Sequence, residues 1–210
     1  GRRFDPDWLH QLPFLVPGPP ALPDPRLTLA RDGIAARSLE GIVNADRYLE
    51  ATLRQAVVPS ASLRRARSPA AEQLDQLLFG EAFQVLDEAN GWAFGQATRD
   101  GYVGYVDAAA LGGSPVAPTH TVQALRTYGF SEPSIKSRPV GLYSMNALIA
   151  AEGGEGRFIK SAGGWFVEDH LVPVGDAEPD FVAVAERFVG TPYLWGGRES
   201  IGLDCSGLVQ

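Results

Sequence analysis

Asn90-Gly91 and Asp100-Gly101 constrain this chain more than any other feature of its sequence. Both dipeptides accept the positive φ of a tight turn, and both stand between short runs suited to strands, so hairpins are the expected local structure. The runs are Ala82 to Leu86, Trp92 to Gln96 and Tyr102 to Val106, preceded by Ala56-Val57-Val58 and divided from them at Gly80-Glu81. Such short strands close most naturally into a small barrel, which removes their open edges. A first barrel is therefore expected over residues 55–112, followed by a linker from Gly112 to Pro118.

A weaker copy of the same series begins at Thr119 and is expected to form a second barrel over residues 119–175. Ala147-Leu148-Ile149-Ala150 stands where Ala82 to Leu86 stood, Gly164-Trp165-Phe166-Val167 matches Gly101-Tyr102-Val103, and Asp169 to Leu171 echoes Asp107 to Leu111. Both copies resemble bacterial SH3-like domains, whose long first loops would be Leu63 to Phe79 and Arg126 to Val140. The competing reading is two unrelated hairpin units.

Upstream, Pro6, Pro13, Pro17, Pro19, Pro20, Pro23 and Pro25 prevent continuous helix or central strand, so an extended arm is expected at the N-terminus. Alanine, arginine and leucine between about Leu27 and Leu53 favour helix, which makes residues 1–54 an arm followed by a helical segment. Downstream, Glu178-Pro179 suits a helix start, with Phe181, Val184, Ala185 and Phe188 on one face and Gly190 as the stop.

The charge balance excludes several functions. With 25 acidic against 18 basic residues, a formal net charge of −7 argues against a grip on nucleic acid or anionic lipid. One cysteine and three scattered histidines provide neither a disulfide nor a zinc-ligand spacing, so no metal and no cofactor are expected. The apolar stretch Trp8 to Val16 is interrupted by His10, Gln11 and Pro13, too polar for a leader core or a membrane span. The expectation is a soluble protein of the cytoplasm, or of the cell envelope where a leader has been removed.

Chemistry concentrates at the end of the sequence, in Gly190-Thr191-Pro192-Tyr193-Leu194-Trp195-Gly196-Gly197 and Gly202-Leu203-Asp204-Cys205-Ser206-Gly207-Leu208-Val209-Gln210. A lone cysteine is more often a small core residue than a nucleophile. Here, however, a glycine-rich loop leads to Asp204, a good N-cap, which would set Cys205 in the first turn of a new helix, where free N–H groups stabilise a thiolate. Small Ser206 and Gly207 would let a substrate backbone approach, and the Cys205 N–H could face an oxyanion. The Asp204 carboxylate disfavours a neighbouring thiolate, so its presence implies a second task such as binding a cation.

Pro-Tyr-Leu-Trp-Gly-Gly together with Asp-Cys-Ser-Gly-Leu-Val-Gln is similar to the signature of the NlpC-type papain-like cysteine peptidases. Paired SH3-like domains ahead of it resemble the gamma-D-glutamyl-L-diamino acid endopeptidases that cut murein peptides. The resemblance implies a multidomain chain, with two small all-β barrels followed by the start of an α+β papain-like domain at residues 178–210. It also implies that Cys205 attacks the amide between D-glutamate and the diamino acid, and that Tyr193 joins the Cys205 N–H in the oxyanion hole. Asp204 and Ser206 match positions that hold the free ammonium of an N-terminal L-alanine, and Glu72 and Tyr102 are the candidate contacts from the first barrel. Peptidoglycan-derived peptides with a free amine are the implied partners, and the oligomeric state leaves no trace.

A thiol nucleophile needs a base, normally a histidine. His10, His120 and His170 all precede Cys205, whereas the family histidine follows the cysteine, so base and third polar residue are expected beyond Gln210. A polypeptide ending at Gln210 is on this reading expected to be inactive. Two alternatives stay open: a non-catalytic peptidoglycan-binding module, and a papain-like acyltransferase or amidase.

Overall fold

The computed structural model describes residues 24–210. Most of the proline-rich arm, the Trp8 to Val16 stretch and His10 therefore lie outside the described residues.

The helix expected between Leu27 and Leu53 is instead a small sheet. Strands β1 (Ala30–Arg31) and β2 (Ile34–Ala36) form a hairpin, and β3 (Arg47–Leu49) runs parallel to β2. The hairpin turn is Asp32-Gly33, with φ values of 45° and 75°, the same turn chemistry that marks the downstream hairpins. Leu29, Ile34 and Ala36 pack on Leu86, Phe94 and Val103 of the next unit. Tertiary burial thus overrides the helix propensity of the alanines.

The first barrel is a six-stranded antiparallel sheet of β4 (Thr52–Gln55), β5 (Ser60–Arg64), β6 (Gln73–Leu78), β7 (Ala82–Ala89), β8 (Trp92–Ala97) and β9 (Val103–Asp107), in the order β4-β7-β8-β9-β5-β6. Asn90-Gly91 makes the tight β7–β8 turn, with φ of 55° and 78°. The Asp100-Gly101 hairpin has a longer link over 98–102. Inward residues alternate along the strands, and Leu63, Leu77, Phe83 and Val106 are fully buried in one core.

The second series is likewise antiparallel but divides into two sheets. It comprises β10 (His120–Val122), β11 (Arg126–Phe130), β12 (Pro139–Ser144), β13 (Leu148–Ile149), β14 (Gly153–Glu155), β15 (Phe158–Ser161), β16 (Gly164–Val167) and β17 (Leu171–Pro173). They pair as β12-β11-β16-β15-β14 and β13-β10-β17. In both units a 3-10 turn follows the last long strand, at Ala108–Ala110 and Glu168–His170. The long first loops are shorter than expected, spanning 65–72 and 131–138, because their flanks pair as the hairpins β5–β6 and β11–β12.

The C-terminal segment carries α1 (Phe181–Glu186), whose N-cap Asp180 accepts bonds from the N–H groups of Val182 and Ala183. The helix stops at Glu186, short of the expected stop at Gly190, so Phe188 lies in the turns that follow it and run to Gly190, φ 93°. The hairpin β18 (Arg198–Glu199) and β19 (Gly202–Leu203) then lies against β6 of the first barrel. Ser200 meets Ser144 of the second barrel, its N–H donating to Ser144 Oγ at 3.0 Å.

Candidate active site

The site is assembled from the loop between Pro192 and Gln210. Leu194 N–H donates to Leu203 O at 2.9 Å and Leu203 N–H to Pro192 O at 3.2 Å, so Tyr193 and Leu203 lie side by side as a parallel bridge. That pairing brings Tyr193 toward the turn that begins two residues after Leu203. A tight turn follows Leu194, with Gly196 at φ 64° and Gly197 N–H closing onto Leu194 O.

Asp204 ties this loop to the cysteine. Its Oδ1 accepts from Ser206 N–H, Ser206 Oγ and Gly207 N–H at 2.9, 2.7 and 2.8 Å, while its Oδ2 accepts from Gly196 N–H at 2.8 Å. Burial pushes the Asp204 carboxyl up, but these bonds together outweigh it and hold the group below the usual carboxylate range. Residues 205–209 form turns rather than the expected α-helix, and the N–H groups of Ser206 and Gly207 are taken up by Asp204. The Asp204 cap itself is present, and Leu208 N–H donates to Asp204 O at 3.1 Å.

Cys205 is exposed, and no acceptor among the described residues takes its N–H. An open hollow of about 340 Å³ is walled by Phe188, Val189, Tyr193, Leu203, Asp204, Cys205 and Leu208. Cys205, whose N–H is unpaired, and Tyr193 thus border one apolar space. Gly207 permits this closeness, because a Cβ there would stand 2.0 Å from Gly197 O.

The first barrel reaches the edge of the same loop. Gln73 Nε2 donates to Trp195 O and Gly196 O at 3.0 and 3.1 Å. Next to it, Glu72 is paired with Arg65 at 2.6 Å, and Arg65, followed by the Trp195 indole, holds its carboxyl below the usual range. Tyr102 packs on the first barrel core and lines a different hollow, with Arg26, Arg31, Arg65 and Tyr105. The structure therefore brings Cys205, Tyr193 and Asp204 together and places Ser206 beside them, while Glu72 lies by Trp195 outside the hollow and Tyr102 in a separate recess.

The loop is held in place by a cluster whose association the sequence does not show. Arg198, with 3% of its side chain exposed, makes a two-pronged bond to Glu81 at 2.7 and 2.9 Å and donates to Gln76 O at 2.6 Å. Asp75 and Asp100 stand nearby, 4.0 and 3.8 Å from the guanidinium. In the sequence Glu81 stands out only as a turn charge after Gly80. Nothing local there signals its partner, which lies 117 positions away.

His120 and His170 each bond a threonine hydroxyl in the second barrel, and neither lines the cysteine hollow. Among the described residues no group of three or more His, Cys, Asp or Glu is placed to hold a metal ion. No helix there is long and apolar enough to cross a membrane.

Residues 63–111 match the bacterial dipeptidyl-peptidase Sh3 domain, and the chain is a distant homologue of the NlpC/P60 dipeptidyl-peptidases. Among particular relatives, it is 32% identical over 149 residues to the gamma-D-glutamyl-L-lysine dipeptidyl-peptidase of Bacillus subtilis (strain 168), covering 64% of this chain and 50% of that protein. Dipeptidyl-peptidase 6 of Lysinibacillus sphaericus is 26% identical over 165 residues, 66% of this chain and 60% of that protein. The chain thus spans half to three-fifths of the length of these relatives. Its fold is shared with an NlpC/P60 family protein from Bacillus cereus ATCC 10987, with a TM-score of 0.62 at 17% identity over 75% of this chain and 70% of that one.

Proposed function

We propose that residues 178–210 open a papain-like peptidase domain in which Cys205 is the nucleophile, cutting murein peptides at the bond between γ-D-glutamate and a diamino acid. The observation that carries this reading is the convergence of the exposed Cys205 thiol, its unpaired N–H and Tyr193 on one hollow.

In the proposed reaction the Cys205 thiolate attacks the amide carbonyl carbon, and the Cys205 N–H and Tyr193 hydroxyl stabilise the oxygen charge that develops. Collapse forms a thioester and expels the diamino acid amine, which takes a proton. Water then attacks the thioester, releases the D-glutamyl carboxylate and restores the thiol. A base must carry the proton between thiol and leaving amine. The family resemblance assigns this task to a histidine that follows the cysteine in sequence.

Asp204 and Ser206 are the proposed hold on the L-alanine ammonium, with Glu72 and Tyr102 as contacts from the first barrel. Four donors already occupy the Asp204 carboxylate, which has about four acceptor sites. Asp204 would therefore attract the ammonium by charge, while Ser206 Oγ, which donates to Asp204 and receives no bond among the described residues, would accept the hydrogen bond. A requirement for a free amine directs the activity to released peptides, which we place in the cytoplasm.

The test is cleavage of L-Ala-γ-D-Glu-diamino acid tripeptide against its N-acetylated form, by the protein that carries the histidine expected after Gln210. The free tripeptide should yield the L-Ala-D-Glu dipeptide, and C205A should lower kcat/KM on the order of a thousandfold. Equal cleavage of both forms would remove the proposed ammonium site, and undiminished cleavage by C205A would remove the nucleophile.

A further inference from the structure

Arg198 is anchored away from the hollow, in a socket that belongs entirely to the first barrel. Glu81 grips both Nη atoms and also accepts from Leu78 N–H, so the carboxylate is itself fixed. Gln76 completes the lock: its side-chain oxygen accepts from Arg198 N–H at 2.7 Å, and its amide donates to Glu199 Oε2 at 2.9 Å. Ser60 Oγ also reaches Glu199, at 2.7 Å. At the far end of the loop, Arg99 donates to Gln210 O.

Stability alone is a poor account of this arrangement. Burying a guanidinium and its carboxylate forfeits hydration that their attraction only partly returns, and apolar packing of equal volume often serves stability as well. A two-pronged charged bond provides direction, because it fixes angle and register as well as distance. The register of Arg198 passes directly to the site. Arg198 faces Leu203 across the β18–β19 hairpin, and Leu203 bridges Tyr193. Gly197, which precedes Arg198, accepts Asp204 N–H, and Gly196 N–H holds Asp204 Oδ2. A shift of Arg198 is therefore passed both to the bridge that holds Tyr193 and to the turn that carries Cys205.

We propose that Arg198 is a positioning residue, whose pairing with Glu81 makes the first barrel part of the machinery that sets Tyr193 and Cys205 about one hollow. The proposal rests on the peptidase reading of Cys205, and it deepens that reading by assigning the barrel a mechanical role besides any contact with substrate. Lysine at 198 keeps the charge but cannot make the two-pronged bond, and glutamine at 81 keeps the shape but not the charge.

The test measures R198K and E81Q by three readouts. Tripeptide turnover should fall about tenfold or more in kcat, with KM within about threefold, as expected when reacting groups are misaligned rather than removed. Alkylation of Cys205 by iodoacetamide should stay within about threefold of wild type, since the sole cysteine of the chain is already exposed. Amide exchange at Gly196 and Gly207, two of the backbone donors to Asp204, should rise about tenfold while the β7–β8 hairpin is unchanged. Folded variants with wild-type kcat and unchanged exchange at those glycines would overturn the proposal. So would exchange that rises equally across the whole first barrel, which would make the pair a support of the fold only. If R198K does not fold, E81Q decides alone. If the wild-type protein carrying the histidine expected after Gln210 cleaves no tripeptide, the peptidase reading falls, and the exchange pattern by itself upholds or overturns the positioning of the turn.

Discussion

Asp75 lies on β6 with 4% of its surface exposed, beside Asp100 and Arg198. Asp75 Oδ2 and Asp100 Oδ2 are both buried, and neither meets a donor while both acids are ionised. A proton kept on Asp75 and donated to Asp100 satisfies the two oxygens at once. Burial first, then Asp100, pushes the Asp75 carboxyl to about 8, with Arg198 opposing the shift. The sign of the pH dependence follows. Between about pH 4 and pH 8 the folded protein holds a proton that the unfolded chain releases, so stability falls as pH rises through that window and levels off above it. An asparagine at this position donates the same hydrogen bond without titrating. D75N should therefore gain on wild type by on the order of 1 kcal/mol per pH unit between pH 5 and pH 8 in urea unfolding. Parallel stability curves for the two proteins would show that Asp75 is ionised throughout.

At the scale of elements, the turn at 205–209 depends on close backbone approach as much as on its cap. Gly207 sits where a Cβ would collide with Gly197 O, a backbone atom that cannot swing aside. G207A should therefore displace the Cys205 turn from the Tyr193 strand and lower tripeptide turnover about a hundredfold. Melting of the two barrels should change little, since their cores lie elsewhere. Retained turnover would mean that the loop accommodates the methyl group without moving the thiol. The contrast between elements also explains what the sequence could reveal. Asn90-Gly91 and the Asp204 cap are legible because their causes are local, positive φ in one case and a side-chain acceptor in the other, whereas the helix expected after that cap is a run of turns. Asp32-Gly33 carries equally local turn chemistry, but helix-favouring alanines on either side masked it, and only the packing of Ile34 and Ala36 on Phe94 and Leu86 decides for strand. The Arg198 socket was not legible, since Gln76, Glu81 and Asp100 become its neighbours only after the first barrel has closed.

At the scale of the molecule, the two barrels are not beads on a string. Phe79 follows β6 of the first barrel, yet its ring is buried among Val122, Tyr143, Ile149 and Phe166 of the second, meeting Tyr143 edge-on at 5.1 Å between centroids. Its carbonyl accepts Leu148 N–H at 2.8 Å, so backbone and side chain both cross the junction. Ser144 with Ser200, and Ser60 with Glu199, join each barrel to the C-terminal loop. The loop that carries the candidate nucleophile is therefore held by both barrels, and its geometry depends on their remaining docked. F79A removes the ring while leaving the backbone bond, which should cost about 3–5 kcal/mol and lower the melting temperature by roughly 6–20 °C. Calorimetry should show one transition for the wild-type protein. In F79A the second barrel should melt ahead of the first, because its core has lost a wall and the first core has not. Two separate transitions already present in the wild type, both unmoved by F79A, would mean that the barrels fold independently and that the C-terminal loop draws its order from the first barrel alone.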